Sequence, residues 1–228
     1  MLNYHLFHQL HSHAKEVRCV DCFKDLLVTG GSDLQMCLYT RADGKYQEVN
    51  RVNIFESYLY AVKINPFELG SYAIAVGCKD SRIFLFDAVG NPTLVLEGHT
   101  SSVCSLSWLD RDTLVSGSWD GTANIWSVSQ NKVIANLKGH THAVAVLAIG
   151  ANNLVVTGSQ DGNLNIWEAS TGKLIRKKER AHADIIREIA SVHQVGFLTC
   201  SNDETVKLWS LDGNELLCNR GHTSFVFR

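Results

Sequence analysis

Residues 98–126 read GHTSSVCSLSWLDRDTLVSGSWDGTANIW, from Gly98-His99 to Trp126, and the same frame returns twice, from Gly139-His140 to Trp167 and from Ala181-His182 to Trp209. In each copy an aspartate stands 21 residues after the histidine and a tryptophan six after that: Asp120 and Trp126, Asp161 and Trp167, Asp203 and Trp209. A serine or threonine stands four before each aspartate, at Ser116, Thr157 and Thr199. The histidines recur at 41 and 42 residues, and His222 follows 40 further on. A fixed period of this length marks an architecture in which each unit buries its apolar face only against its neighbours.

Two earlier copies are degraded. The first offers His13, Thr29 and Asp33, with Tyr39 in the tryptophan place. The second keeps Asp80 but puts Phe55, Val76 and Phe86 where His, Ser/Thr and Trp would stand, and extra residues around Pro66–Ser71 stretch its spacing.

Within a copy the pattern is that of strands. Val103, Ser105 and Ser107 alternate with Cys104, Leu106 and Trp108, a period of two. Thr113–Gly117 is a short apolar run, Trp119-Asp120-Gly121-Thr122 a hairpin turn, and Thr122–Ser127 a third strand. A turn at Ser129–Asn131 leads into Lys132–Leu137, and turn signals recur at Asp161-Gly162, Thr171-Gly172 and Asp212-Gly213. Four strands in about 41 residues make one blade of a β-propeller. Leu2, Leu6 and Leu10 have helical spacing, but the repeat frame predicts Tyr4–Leu10 as an outer strand.

The Gly-His start and the serine-glycine-serine-x-aspartate stretch leading to tryptophan resemble WD40 repeats over essentially the whole chain. The expected fold is all-β, a WD40 propeller of five four-stranded blades plus the first strand of a sixth (Ser224–Arg228), part of a seven-bladed ring. The blades fall near 11–50, 51–95, 96–137, 138–178 and 179–219, with a partial sixth at 220–228, in a single domain spanning 1–228. Seven blades need roughly 290 residues, so the chain reads as truncated, and its ring as open.

Composition narrows the functional classes. The 228 residues carry 21 basic and 23 acidic side chains, a net charge of −2, which argues against a nucleic-acid binder working through a basic face. No apolar run approaches the roughly 18 residues that span a bilayer, and residues 1–10 lack the basic start of a secretory signal. Neither nucleic acid nor membrane is an expected partner. Seven cysteines scattered without scaffold spacing fit reduced thiols in a cytoplasmic and nuclear protein.

Recurring His, Ser/Thr and Asp mimic a catalytic triad, but an enzyme needs one such constellation and here it repeats. No Gly-x-Ser-x-Gly turn presents the serine. What the WD40 resemblance implies is a buried chain: Trp126 donates to Ser116, whose hydroxyl meets His99, whose other nitrogen meets Asp120. The sets His140, Thr157, Asp161, Trp167 and His182, Thr199, Asp203, Trp209 follow suit, as do His13, Thr29 and Asp33. No catalytic residue, cofactor or metal is expected. Cys19-x-x-Cys22 has metal-like spacing, but residues three apart on a strand point to opposite faces. His5, His8, His11 and His13 are dense, yet His13 is claimed by the first tetrad. Lys173, Arg176, Lys177, Lys178 and Arg180 form a basic run whose simplest role is to protect a strand edge.

The WD40 resemblance also implies which positions ring the channel mouth: the third and fifth residues after the histidine, and the residue before the turn aspartate. These are Glu16, Arg18 and Ser32; Tyr58, Tyr60 and Lys79; Ser102, Cys104 and Trp119; Ala143, Ala145 and Gln160; Ile185, Arg187 and Asn202; and Phe225 and Phe227. Trp119, Tyr58, Tyr60, Arg18 and Arg187 are types favoured at binding hot spots, and Trp119 stands out because it sits in a turn.

Val103-Cys104-Ser105-Leu106-Ser107 with Ser116-Gly117-Ser118-Trp119-Asp120 closely resembles the third blade of the phospholipase A-2-activating protein family. Phe197–Asp203 resembles its fifth blade and Gly221–Val226 the start of its sixth. This resemblance implies a non-catalytic module that binds ubiquitin on its channel-mouth face and serves ubiquitin-dependent turnover, with contacts drawn from Trp119, Cys104, Ser102, Tyr58, Tyr60, Arg18, Arg187, Asn202, Gln160, Phe225 and Phe227. The family's contact with the valosin-containing-protein ATPase belongs to domains missing from this sequence. The competing readings are a WD40 scaffold or ubiquitin-ligase substrate adaptor recognising another peptide, and a hydrolase built on one tetrad.

Overall fold

A computed structural model of the chain describes residues 9–67, 70–149 and 152–226. Twenty strands among them form five antiparallel sheets of four, each paired in chain order. Blade one holds β1 (Val17–Phe23), β2 (Leu26–Gly31), β3 (Met36–Ala42) and β4 (Lys45–Val52). Blade two holds β5 (Leu59–Ile64), β6 (Ile74–Cys78), β7 (Ile83–Phe86) and β8 (Pro92–Leu96). Blade three follows with β9 (Val103–Trp108), β10 (Thr113–Ser118), β11 (Thr122–Ser127) and β12 (Lys132–Lys138). Blade four has β13 (Val144–Ile149), β14 (Leu154–Ser159), β15 (Leu164–Glu168) and β16 (Lys173–Lys178). Blade five closes with β17 (Ile186–Val192), β18 (Gly196–Ser201), β19 (Val206–Ser210) and β20 (Glu215–Asn219).

The apolar residues of a blade cannot be covered within a single sheet, so each core lies between neighbours. Val28, Leu38, Phe55 and Phe86 pack blade one on blade two; Leu85, Val103 and Trp126 join two to three. Val115, Ile125 and Trp167 join three to four, and Val156, Ile166 and Trp209 join four to five. Inner strands pack successively, β1 on β5, β5 on β9, β9 on β13 and β13 on β17, and among the described residues no comparable packing joins β17 to β1. They line a central channel with a cavity of about 650 Å³.

Five blades of four strands therefore stand as expected, and the sequence-predicted strand Thr122–Ser127 coincides with β11. The sixth blade does not stand in the same way: residues 220–226 carry no strand, and 227–228 lie outside the described residues. Most of the expected outer strand Tyr4–Leu10 also lies outside them. Cys19 is buried and Cys22 exposed, as opposite faces of β1 require, and the described residues hold no His/Cys/Asp/Glu cluster suited to a metal.

One irregularity recurs in every blade. Pairing between the third and fourth strands slips by a residue at Leu38/Tyr39, Leu85/Phe86, Ile125/Trp126, Ile166/Trp167 and Leu208/Trp209. Each slip sits where the large aromatic of the repeat turns inward. The extra residue lies on the outer strand, at Val49, Thr93, Ile134, Ile175 and Leu216, so the bulge bends the outer strand beside the buried aromatic.

Candidate binding face at the channel mouth

The tetrads are closed hydrogen-bond chains. In blade three Trp126 Nε1 lies 2.7 Å from Ser116 Oγ, Ser116 Oγ 2.7 Å from His99 Nε2, and His99 Nδ1 2.8 Å from Asp120 Oδ2. Every donor meets an acceptor when the indole N–H donates to the hydroxyl, the hydroxyl to Nε2, and Nδ1–H to the carboxylate, which leaves the imidazole neutral. Blade five repeats the geometry at 2.8, 2.6 and 2.9 Å through Trp209, Thr199, His182 and Asp203. Blade four does so through Trp167, Thr157 and His140, with a longer reach of 3.2 Å to Asp161.

Burial pushes His99, His140 and His182 below the ordinary imidazole value. Burial alone would raise the three aspartates. Hydrogen bonds outweigh it, first from the Thr122 hydroxyl on Asp120, the Asn163 N–H on Asp161 and the Thr205 hydroxyl on Asp203, then from further backbone N–H groups and the histidines. Asp120 and Asp161 are held low, and Asp203 falls to about 2. Each carboxylate also accepts the N–H of the residue after its histidine (Thr100, Thr141, Ala183), so it ties a loop to the hairpin turn. These groups are engaged with one another inside the scaffold.

The degraded copies have their own solutions. In blade one His13 bonds Thr29 at 2.7 Å and Asp33 at 2.9 Å, while Tyr39 is buried in the tryptophan place. In blade two Phe55 packs edge-on to Phe84 at 5.3 Å and against Phe86 at 5.8 Å. An apolar wedge thus replaces the polar chain, and Asp80, with no histidine to hold, takes the Arg82 guanidinium at 2.5 Å.

A second recurring bulge builds the mouth. Between the first two strands the unpaired extra residue is Arg18 in blade one, Tyr60 in blade two, Cys104 in blade three and Arg187 in blade five. Blade four pairs without a slip, and there the position is Ala145. Four side chains are thereby taken out of regular alternation: Arg18 and Tyr60 enter the stack at the rim, Cys104 turns toward the neighbouring blade, and Arg187 bonds Asn202.

Across blades one to three these residues stack into a ladder. Trp119 is half exposed and lies nearly parallel to Tyr60, with centroids 5.3 Å apart and planes at 25°. The Arg18 guanidinium sits 5.4 Å from the Tyr60 ring and 5.5 Å from Tyr58, and Lys79 Nζ sits 5.2 Å from Tyr58 on the same platform. Arg18 also donates to Ser32 Oγ and approaches Glu16 at 3.7 Å. Aromatic and cation–π contacts of this kind each contribute about 0.5–1.5 kcal/mol, enough to order the exposed indole.

The other ring positions separate by burial. Ser102 is buried and donates to the Lys79 carbonyl at 3.0 Å, so it braces the rim from beneath. The Cys104 thiol points sideways to the Val144 carbonyl at 3.4 Å, and burial raises its pKa to about 12, so it links blades and lines the channel. Asn202 is buried and accepts from Arg187 Nε at 2.8 Å. Gln160 and Phe225 are exposed on the far side, and Phe227 lies outside the described residues. Sequence reasoning missed an ion pair below the mouth, where Asp21 binds Lys63 Nζ at 2.9 Å and the Ile64 N–H at 2.8 Å. The two side chains lie 42 residues apart, one repeat, and that spacing was the available signal.

With this geometry in hand, comparison with known proteins is informative. A repeat profile described as "WD domain, G-beta repeat" matches residues 90–127 and 131–168. The ubiquitin homeostasis protein lub1 of Schizosaccharomyces pombe is 38% identical over the whole chain, which covers 31% of that protein. Protein DOA1 of Saccharomyces cerevisiae is 34% identical over 99% of the chain, again covering 31% of the relative. The chain thus spans about a third of the length of these relatives. Among solved structures, the WD40 β-propeller domain of Doa1 superimposes with a TM-score of 0.82 at 27% identity, over 96% of this chain and 73% of that one.

Proposed function

Because the chain carries WD40 repeats and is homologous to the propeller domains of Lub1 and Doa1, we propose that it is a non-catalytic interaction module that binds ubiquitin at the channel mouth. Its service is to ubiquitin-dependent protein turnover. The observation that carries this reading is the ladder of Trp119, Tyr60, Arg18 and Tyr58, an ordered aromatic platform exposed to solvent on one rim. Ubiquitin offers a small apolar patch rimmed by basic residues. The free face of Trp119 suits the apolar centre of that patch, a typical anchor for a small interface.

Charge gives little help. The mouth presents Arg18, Lys79 and Arg187 with Glu16 as its acidic member, so the rim does not attract a basic partner. Stacking of Arg18 on two tyrosines and bonding of Arg187 to Asn202 fix the place of these cations without neutralising them. The affinity is therefore modest and dominated by the indole.

The complete ring is proposed to hold seven blades. Five blades that match 73% of the Doa1 propeller chain leave room there for about two more, and the gap between β17 and β1 is where they would stand.

The deciding experiment is an NMR titration of isotope-labelled ubiquitin with the folded chain. Shifts confined to ubiquitin's apolar patch, lost with Trp119→Ala, are the expected result. An unchanged spectrum, or full binding by a folded Trp119→Ala protein, would overturn the assignment.

A further inference from the structure

The outer strand of blade four is unlike the other four. β16 reads Lys173-Leu174-Ile175-Arg176-Lys177-Lys178, with four cations, no acid and all six residues exposed. β8 carries no charge, β12 carries only Lys132 and Lys138, β4 offsets Lys45 and Arg51 with Glu48, and β20 holds a single charged residue, Glu215. Lysine on an edge strand discourages sheet-to-sheet pairing, but the uncharged β8 edge shows that this scaffold does not demand four cations for protection.

The charge also continues past the strand. Arg180 follows β16 and lines a rim cavity of about 600 Å³ together with Lys207 and Arg220. The carboxylates in that cavity, Asp161 and Asp203, are committed to His140 and His182, and Lys207 is shared with Glu215 and the Ala181 carbonyl. Along β16 itself only Lys177 holds an acid, the exposed Glu179 at 2.8 Å, and Arg176 rests against Asn214 at 3.3 Å. Among the described residues Lys173, Lys178, Arg180 and Arg220 make no ion pair.

As the last strand of its sheet, β16 also has a row of outward backbone N–H and C=O groups with no strand partner. Backbone valences and an excess of positive charge thus coincide along about 20 Å of edge. We propose that this edge docks an extended acidic segment of a partner polypeptide, which adds as a fifth strand to blade four. Its carboxylates meet Lys173, Arg176 and Lys178, and its end enters the cavity at Arg180 and Arg220. Backbone pairing supplies affinity and the alternate side chains supply selectivity, as in other strand additions. A nucleic acid is the less favoured occupant, because β16 offers no aromatic ring for a base to stack on. The surface lies on the outer edge of blade four, away from the aromatic ladder of blades one to three, and does not depend on ubiquitin binding.

The test is fluorescence anisotropy of the full chain with three labelled probes: a short peptide of alternating Glu and Thr, its Glu-Pro counterpart, and a single-stranded oligothymidine. Expected is saturable binding of the Glu-Thr peptide that weakens with added salt and drops about tenfold in Lys173→Glu/Lys178→Glu. The same peptide binds Lys132→Glu/Lys138→Glu, which reverses two cations on the neighbouring outer strand, within about twofold of the parent. Glu-Pro, which lacks half the N–H groups a strand needs, binds at least fivefold more weakly. Equal binding of Glu-Pro and Glu-Thr would overturn strand addition, and equal loss in both charge variants would reduce the effect to bulk charge. Oligothymidine binding without peptide binding, or no binding at all, would overturn the proposal. Because all six positions of β16 are exposed, these variants are expected to fold, and Lys178→Ala provides a milder check on the same contact.

Discussion

Blade two, which has replaced its polar tetrad with phenylalanines, supplies a direct test of what the tetrads contribute. Ser116 is fully buried and its Oγ serves both Trp126 Nε1 and His99 Nε2, each at 2.7 Å. Ser116→Ala leaves a buried donor and a buried ring nitrogen without partners, at about 1–3 kcal/mol each. Because the two groups are neighbours in one network the losses overlap, and a total of about 2–4 kcal/mol is expected. For a chain of this size that corresponds to a fall in melting temperature of roughly 4–16 °C, a large share of the ~5–15 kcal/mol that holds a domain together. The informative companion is a quadruple variant that copies blade two into blade three: His99→Phe, Ser116→Val, Trp126→Phe and Thr122→Arg, after Phe55, Val76, Phe86 and Arg82. It removes all the polar partners together, gives Asp120 a guanidinium as Asp80 has, and adds at residue 99 much of the volume it removes at residue 126. Unsatisfied groups, more than absent bonds, carry the cost, so the quadruple variant should be no less stable than Ser116→Ala alone. Thermal and urea unfolding of the three proteins measure this. A Ser116→Ala loss below about 0.5 kcal/mol, or a quadruple variant clearly less stable than the single one, would refute the reasoning.

Two further outcomes follow from the same contacts. Tyr60→Ala removes the ring beneath Trp119 at little cost to the fold, and should weaken ubiquitin binding by about two- to tenfold, as expected for a contact of about 0.5–1.5 kcal/mol; an unchanged affinity in the NMR titration would show that the indole needs no support. Acid should destabilise the chain in two stages, because both sets of tetrad groups have folded-state values below their ordinary ones. The first stage begins as pH falls below the ordinary histidine value of about 6.5 at His99, His140 and His182, and the second runs below about 3.8 at the aspartates, down through about 2 at Asp203. A melting temperature that rises between pH 7 and pH 5 would contradict the first.

What the sequence made legible was whatever repeats locally. Strand Thr122–Ser127, the Asp-Gly turns and the histidine-to-aspartate spacing are short-range features, and the structure places them as the pattern demanded. The degraded blades were legible as positions and not as chemistry: nothing in the spacing of Phe55, Val76 and Phe86 showed that Asp80 would recruit Arg82. The bulges were invisible for a deeper reason. Strict alternation from Val103 to Trp108 assigns Cys104 and Leu106 to one face, yet the strand slips at Cys104 and re-aims its thiol toward the next blade. A bulge is a property of two paired strands, and a period-two reading of one strand contains no term for it.

That same limit decides which ring positions can serve a partner. The fifth position after the histidine is a bulge in blades one, two, three and five, but its fate is set across blades: Tyr60 is caught between Trp119 and Arg18, Cys104 is drawn to Val144, and Arg187 folds onto Asn202. A repeat makes these positions equivalent in sequence, and inter-blade packing makes them unequal in space. The aromatic ladder therefore occupies one side of the mouth, over blades one to three, while blade four, with Ala145 paired in register, contributes no re-aimed side chain there. A partner centred on the channel would need contacts around the whole rim. One seated off centre over Trp119 meets a platform already ordered by stacking, so little conformational entropy remains to be lost on binding, and a single exposed indole can dominate an interface that is otherwise poor in charge complementarity.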